Sequence, residues 1–171
     1  MSAQSIVPTR VLFVCLGNIC RSPLGHGILE HLVRQRGLTG FEVDSCGTGP
    51  WHEGEPPNRH SQAVAREHGI DISRQRARQV RAADFDHFDW ILAMDRSNQA
   101  DLLHMAPARA RDRVRLLLEF GADPQLRDVP DPYYGGPEGF RNVFELIHGA
   151  CEGFLEHLDP SGELTRRRPL R

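Results

Sequence analysis

The stretch VLFVCLGNICRSP, residues 11–23, decides the fold of this chain. It begins with four apolar residues, as a strand buried on both faces of a parallel sheet does. A loop follows that contains Gly17 and Asn18, two residue types that tolerate left-handed backbone conformations. Pro23 then opens a helical pattern, because a proline in the first turn of a helix loses no hydrogen bond. The stretch therefore predicts a strand, a wrapped loop and a helix in immediate succession.

The rest of the chain alternates between short apolar runs and longer helical patterns. Apolar runs predict strands at residues 11–14, 41–45, 88–93 and 114–118. Apolar residues at helical spacing predict helices at about residues 23–36, 58–68, 97–104 and 140–158, with a short one near residue 108. This alternation is typical of an α/β fold with right-handed crossovers. We predict a single α/β domain with a twisted, parallel, four-stranded sheet and helices on both of its faces.

Length and composition also favour one globular domain. The chain has 171 residues, of which 39% are hydrophobic and 26% are charged. This is an ordinary balance for a domain large enough to bury its own core. We assign residues 1–9 to an N-terminal extension, residues 10–159 to the domain and residues 160–171 to a basic, disordered tail.

Charge and hydropathy argue against two kinds of partner. A net charge of −2 is not the basic footprint of a nucleic-acid-binding protein, and no apolar run reaches the roughly 18 residues of a membrane span. The N-terminus lacks the pattern of a signal peptide, so we expect a cytoplasmic protein, with secretion as an effector left open. The four cysteines and nine histidines show neither disulfide nor metal-ligand spacing, and we predict no metal and no cofactor.

The loop after the first strand has the composition of a phosphate-binding loop. A loop that wraps before a helix aims several backbone N–H groups inward and forms a cradle for an anion. Arg21 adds a planar fork that matches the oxygens of a phosphate. Cys15 would lie beneath this cradle, where the helix N-terminus and the arginine stabilise a thiolate, the nucleophilic form. Ser22 can donate a hydrogen bond to the sulfur, and its plainer role is to cap the helix ahead of Pro23.

A second loop, residues 128–136 with the sequence DVPDPYYGG, offers an acid. Cleavage of a phosphate monoester requires a proton for the leaving oxygen, and a positioned carboxylic acid supplies it best. Asp131 is followed by Pro132, which restrains the backbone, and by two tyrosines that can wall a phenyl ring. The alternative is an ordinary polar turn, since Asp-Pro and Gly-Gly are common in turns.

Taken together, these stretches resemble the low-molecular-weight protein tyrosine phosphatase family. VLFVCLGNICRSP is similar to the phosphate loop of that family and DPYYG to its acid loop, while DSCGTGPWHEGEPP and DWILAMDRSN agree as well. The resemblance covers roughly residues 11–158. It implies hydrolysis of protein phosphotyrosine through a cysteinyl-phosphate intermediate without a cofactor. It also implies phosphotyrosine-containing proteins as partners, a tyrosine kinase among them. An exposed aromatic rim at the pocket favours weak self-association, and we expect a monomer or a weakly self-associating protein.

The resemblance assigns roles residue by residue. It makes Cys15 the nucleophile, Arg21 the phosphate clamp and Asp131 the general acid and later base. It places the wall of the substrate pocket at Trp51, Tyr133 and Tyr134 and the support of the loop at Ser45. The remaining phosphate-binding positions are Leu16, Gly17, Asn18, Ile19, Cys20 and Ser22.

The resemblance also implies a redox role for Cys20, as the partner of a reversible disulfide with Cys15; the alternative is a small residue that fills the loop. Three positions depart from the family pattern or are open. Gln75 stands where many relatives carry a histidine near the phosphate loop, and Cys46 stands where a small residue is usual. His52, beside Trp51, is either a residue that tunes substrate choice or an exposed side chain.

Other functions are open to a chain of this kind. An arsenate reductase on the same scaffold needs a downstream cysteine pair, but no cysteine lies between Cys46 and Cys151. Relatives that hydrolyse protein phosphoarginine carry a threonine at the position of Ile19 and lack the paired tyrosines. A non-catalytic phosphopeptide-binding module would not need Cys15. The residues favour phosphotyrosine hydrolysis, with arsenate reduction and phosphoarginine hydrolysis as the alternatives.

Overall fold

The structure, a computed structural model, describes residues 8–133 and 135–159. Most of the predicted N-terminal extension, Tyr134 and the whole predicted tail lie outside these ranges. The strands are β1 Thr9–Cys15, β2 Phe41–Gly47, β3 Trp90–Ala93 and β4 Val114–Leu116. The α-helices are α1 Arg21–Gln35, α2 Arg59–Glu67, α3 Asp84–His87, α4 Arg96–Met105 and α5 Gly136–Leu158, and short 3-10 helices cover Ala108–Arg113 and Leu117–Phe120.

All four strands are parallel, and their order across the sheet is β2-β1-β3-β4. β1 is central: Val11 pairs with Val43 of β2 on one side and with Trp90 of β3 on the other. The carboxyl end of β1 therefore lies between the carboxyl ends of β2 and β3, at the same edge of the sheet. In such sheets ligands bind beyond these ends, where loops lead into helices. The prediction of a parallel four-stranded α/β fold is confirmed.

Side chains of β1 alternate between two hydrophobic clusters, one on each face of the sheet. Val11 and Phe13 enter the cluster that includes residues of α1, α2 and α5. Leu12 and Val14 enter the cluster that includes residues of α3 and α4. All four side chains are fully buried. A strand covered on both faces needs apolar residues at every position, which is why residues 11–14 read as an unbroken apolar run.

Helix α1 begins immediately at the end of the loop, at Arg21. The prediction that Ser22 caps it is wrong, because Cys20 occupies the N-cap position and Ser22 lies inside the first turn. The Ser22 hydroxyl instead contacts groups of the loop, described below. Pro23 lies in the first turn as predicted, and Gly37 ends the helix with a left-handed backbone, at φ 65°.

Two elements differ from the sequence prediction. The predicted fourth strand stops at Leu116, and residues 117–120 form a 3-10 turn instead. Helix α3 was not predicted; it lies just before the third strand, which begins at Trp90 rather than at residue 88. Its first residue, Asp84, accepts hydrogen bonds from the Arg78 side chain and from the Arg81 amide. A four-residue helix of this kind depends on such tertiary partners, because isolated short helices are marginal.

No helix within residues 8–133 and 135–159 has the length and apolar character that crossing a membrane requires.

Candidate active site

Cys15 is the last residue of β1 and lies at the base of a pocket. Its side chain is almost fully buried, and Sγ lies 3.0 Å from the Ser22 hydroxyl. That hydroxyl is also within 3.3 Å of the Cys46 carbonyl. The sulfur thus lies beside the N-terminal turn of α1, within hydrogen-bond distance of a hydroxyl that this turn carries.

Asn18 holds the loop in its wrapped shape. Its φ of 57° lies in the left-handed region, which asparagine tolerates better than most residues. The side-chain Nδ2 donates to the Ser22 hydroxyl at 2.8 Å and to the Ser45 hydroxyl at 3.0 Å. All three side chains are buried. The loop is thus fastened to α1 and to β2 at once.

Gln75 extends this network from the far side of Ser45. The Ser45 hydroxyl lies 3.5 Å from Gln75 Oε1, and Gln75 Nε2 donates to the Pro23 carbonyl at 3.1 Å. The amide therefore makes hydrogen bonds at the position where many relatives carry a histidine. An amide cannot titrate near neutral pH, so this contact does not change charge.

The Arg21 guanidinium is buried at the side of the pocket. Its NH1 donates to Asp95 Oδ2 at 2.6 Å and to the Val129 carbonyl at 2.9 Å, and its NH2 lies 3.7 Å from Asp131 Oδ2. Burial alone would lower the pKa of Arg21, but the nearby Cys15 and the hydrogen bond to Asp95 outweigh it, and the pKa is raised. The guanidinium is therefore a permanent, fixed positive charge.

Asp95 was not among the predicted site residues. It is the N-cap of α4, where Oδ1 accepts from the Asn98 amide at 2.7 Å while Oδ2 accepts from Arg21. The motif DWILAMDRSN contains it at the end of β3, beside β1 in the sheet. Asp95 could therefore have been predicted as a site residue, because it is an acidic residue just after a strand that neighbours β1 in a parallel sheet.

Arg78 was also missed, and no pattern in the sequence marks it. Its guanidinium lies between Asp44 of β2 and Asp84 of α3, at 3.1 Å and 2.9 Å. Burial would lower its pKa, but the hydrogen bond to Asp84 and the charges around it raise it. This ion cluster joins β2 and α3 to the segment that carries Arg78.

The pocket itself is an open cavity of about 340 Å³. Asp131 lies at its mouth, where Oδ1 accepts from the Tyr133 amide at 3.1 Å. Trp51 and Tyr133 are exposed aromatic residues of the rim. The residues that line the cavity are Cys15, Leu16, Gly17, Ile19, Cys20, Arg21, Trp51, His52, Asp131 and Tyr133.

The structure thus brings most of the predicted site residues together around one cavity. The side chains of Asn18, Ser22 and Ser45 form the hydrogen-bond network that supports the loop and do not line the cavity. Tyr134 is outside the described residues. His52 lies at the rim, with Nδ1 2.5 Å from Glu55 Oε2 and its ring 6.5 Å from that of Tyr133.

The other cysteines are free thiols in buried positions. Burial, together with the nearby Cys15 and Asp131, raises the pKa of the Cys20 thiol to about 12. Burial also raises the pKa values of Cys46 and Cys151. Cys46 packs in the α3 and α4 cluster and Cys151 in the α5 cluster, so both are packing residues. No group of three or more histidine, cysteine or acidic side chains in the described part of the chain is arranged to hold a metal ion.

A strand that ends in a buried cysteine, a loop that closes on a fixed arginine and a carboxylate at the pocket mouth define the class of cysteine-dependent phosphatases. A family model for the low molecular weight phosphotyrosine protein phosphatases matches residues 10–164. The chain belongs to this family, as the resemblance of its motifs predicted.

Known relatives agree with this membership. The chain is 43% identical over 155 residues to the low molecular weight protein-tyrosine-phosphatase YfkJ of Bacillus subtilis, covering 90% of this chain and 98% of that protein. The fold is similar to the crystal structure of a protein tyrosine phosphatase from Entamoeba histolytica, with a TM-score of 0.85, 35% identity and coverage of 89% and 97%. It is also similar to the crystal structure of a Drosophila arginine phosphatase, with a TM-score of 0.83, 37% identity and coverage of 87% and 97%.

Proposed function

We propose that this chain hydrolyses phosphotyrosine in proteins, with Cys15 as the nucleophile, Arg21 as the phosphate clamp and Asp131 as the general acid. The observation that carries the proposal is the arrangement of these three groups around one cavity, with the sulfur at its base and the carboxylate at its mouth. A phosphate held between them has its phosphorus near the sulfur and its ester oxygen near the acid.

In the first step the Cys15 thiolate attacks phosphorus. An S–P bond forms while the P–O bond to the tyrosine breaks, and Asp131 gives its proton to the leaving phenolate oxygen. Arg21 and the backbone N–H groups of the loop stabilise the charge on the phosphoryl oxygens during transfer. Because Asp95 and the Val129 carbonyl hold the guanidinium in place, it needs little reorganisation as the charge develops.

In the second step water attacks the cysteinyl phosphate. Asp131, now a carboxylate, accepts a proton from this water; the S–P bond breaks, and inorganic phosphate and the thiolate are released. The Ser22 hydroxyl, 3.0 Å from the sulfur, stabilises the thiolate as it leaves. The reaction needs no redox partner and no cofactor.

The aromatic rim supports an aryl substrate. Trp51 and Tyr133 stand on the cavity wall, where a phenyl ring that enters the pocket can pack against them. Partners would then be proteins that carry phosphotyrosine, a tyrosine kinase among them. The cytoplasmic location, the domain boundaries and the Cys15–Cys20 disulfide stay predictions from the sequence.

Phosphoarginine is the second candidate substrate, because one similar solved structure is an arginine phosphatase. Ile19 lines the pocket of this chain, whereas relatives with that activity are expected to carry a threonine there. An apolar side chain at this point favours an aromatic leaving group over a guanidinium, which would need hydrogen-bond acceptors.

The deciding experiment is phosphate release from two peptides of the same sequence, one with phosphotyrosine and one with phosphoarginine, in the presence of EDTA. We expect wild-type protein to hydrolyse the phosphotyrosine peptide and Cys15→Ser to be inactive. Faster hydrolysis of the phosphoarginine peptide would replace the proposed substrate. Activity of Cys15→Ser equal to that of wild type would remove Cys15 as the nucleophile.

A further inference from the structure

Arg96, the first residue of α4, makes an extensive contact with the loop that carries Asp131. Its backbone amide donates to Asp128 Oδ1 at 2.8 Å. Its guanidinium contacts both carboxylate oxygens: NH2 donates to Oδ2 at 2.9 Å, and Nε lies 3.1 Å from Oδ2 and 3.3 Å from Oδ1. Such a forked pair fixes both the distance and the orientation of the carboxylate. We call this contact the Arg96–Asp128 clamp.

The clamp lies close to Asp131 along the chain. Asp128 precedes Asp131 by three residues, and the residue between them that is most deeply buried, Val129, donates from its amide to the Met94 carbonyl at 2.8 Å. The acid loop is therefore tied to the end of β3 and the start of α4 just before the acid. After this point the chain is exposed at Asp131 and Tyr133.

One helix end consequently positions two parts of the site. Asp95 holds the Arg21 guanidinium, and its neighbour Arg96 holds the acid loop. A groove lined by both residues and by Asp128 and Asp131 runs along this side of the pocket. Phosphate and leaving group must be aligned together for in-line transfer, and small displacements of a catalytic group are costly.

We propose that Arg96 is a positioning residue for Asp131, acting through the Asp128 carboxylate. The inference rests on the proposed function, in which Asp131 is the acid. Arg96 does not line the substrate cavity. Val129, whose carbonyl holds Arg21, is tied to Met94 by its own amide. We therefore expect removal of Arg96 to disturb the proton donor more than phosphate binding.

The clamp is suited to a test because it is a surface contact. The Arg96 and Asp128 side chains are 64% and 39% exposed, and exposed ion pairs contribute little to stability. A loss of activity in a folded Arg96 variant therefore reports on geometry. Hydrogen bonds from Arg96 also lower the pKa of Asp128, so the clamp stays charged at mildly acidic pH.

The chain offers a matched control. Arg109 makes an equally forked pair with Asp86, at 2.9 Å for both contacts, and the two side chains are 67% and 56% exposed. Neither residue lines the substrate cavity. Arg109→Ala thus removes the same kind of ion pair without touching the acid loop.

The experiment measures kcat/KM for p-nitrophenyl phosphate, a good leaving group, and for phenyl phosphate, a poor one. We expect Arg96→Ala and Asp128→Ala each to lower kcat/KM for phenyl phosphate by about 10-fold, a modest fraction of what acid catalysis supplies. The loss for p-nitrophenyl phosphate should be clearly smaller. The double variant should be no worse than either single one, and Arg109→Ala should match wild type.

The same substitution made in Asp131→Asn separates the possible outcomes. If Arg96 acts through Asp131, Arg96→Ala has no further effect once the acid is gone. An equal loss in both backgrounds, an equal loss for both substrates, or a similar loss in Arg109→Ala would overturn the inference while leaving Asp131 as the acid. If Asp131→Asn itself affects both substrates equally, the proposed acid is wrong and the inference falls with it.

Discussion

Asn18 Oδ1 accepts the backbone N–H of Arg78 at 3.0 Å, across 60 positions of sequence. Asn18 is the one non-glycine residue with positive φ in the described ranges. Its Nδ2 donates hydrogen bonds to the hydroxyls of Ser22 and Ser45. One amide side chain therefore joins the phosphate loop, α1, β2 and the segment around Arg78. The ion pairs of Arg78 with Asp44 and Asp84 hold that segment in place.

The loop should lose its shape when the Asn18 amide is removed. We expect Asn18→Ala to lower kcat/KM strongly and by the same factor for good and poor leaving groups, because the loop binds the phosphate that all substrates share. Asn18→Gly loses the same hydrogen bonds as Asn18→Ala. It avoids the backbone strain of about 1–2 kcal/mol that an ordinary residue has in the left-handed region. Full activity of Asn18→Gly would show that the side-chain network is dispensable.

Removal of Arg78 should destabilise the domain. In Arg78→Ala the carboxylate of Asp84, which is only 7% exposed, is left without its charge partner, and breaking a buried pair in this way costs roughly 3 kcal/mol. Urea denaturation followed by circular dichroism measures the change. Arg109→Ala, which breaks an exposed pair, should leave the midpoint nearly unchanged; equal effects of the two variants would contradict the assignment.

Gly49 should control the position of the pocket rim. A Cβ atom at Gly49 would overlap the indole ring of Trp51, so Gly49→Ala must move that ring. We expect a higher KM for aryl phosphates, similar to that of Trp51→Ala, with little change in global stability. Gly149→Ala is the control, because a Cβ there meets nothing within 4 Å and only favours the helix. A KM unchanged in both Gly49→Ala and Trp51→Ala would remove Trp51 from the substrate pocket.

Stability should fall at alkaline pH because of the buried cysteines. Burial raises the pKa values of Cys20, Cys46 and Cys151 in the folded state, whereas an unfolded cysteine titrates near 8.5. Above about pH 8.5 the unfolded chain loses these protons first, so each cysteine lowers the free energy of unfolding by about 1.4 kcal/mol per pH unit. This contribution is intact below the unfolded-state pKa and is lost progressively as pH rises toward the folded-state value.

The composition simplifies this measurement, because the chain contains no lysine. All 21 residues in its Lys and Arg count are arginines, which do not titrate in this range. Urea unfolding at a series of alkaline pH values gives the slope of the free energy of unfolding against pH. Cys151→Ala should make this slope shallower by the contribution of one cysteine, about 1.4 kcal/mol per pH unit. An unchanged slope in Cys151→Ala would mean that this thiol ionises equally in both states.

Much of the fold could be predicted because local sequence patterns determine it. The buried run before Cys15 had to be a strand covered on both faces, and Pro23 and Gly37 mark where the first helix lies. The short helix α3 and the 3-10 turn after β4 were not predicted, because each is too short to show a periodic pattern of apolar residues. Ser22 was misplaced as a cap because a hydroxyl near a helix start has two possible partners, and the nearby sulfur and amide engage it.

The candidate site divides in the same way. Cys15, Arg21 and the loop between them are close in the chain, and the residue types alone indicate their chemistry. Asp95 meets Arg21 across 74 positions, Arg78 meets Asn18 across 60, and Asp128 meets Arg96 across 32. These contacts depend on which strand ends lie side by side in the order β2-β1-β3-β4, and no local pattern contains that order. The nucleophile and its loop follow from neighbouring residues, whereas the groups that hold them in position come from packing between distant segments.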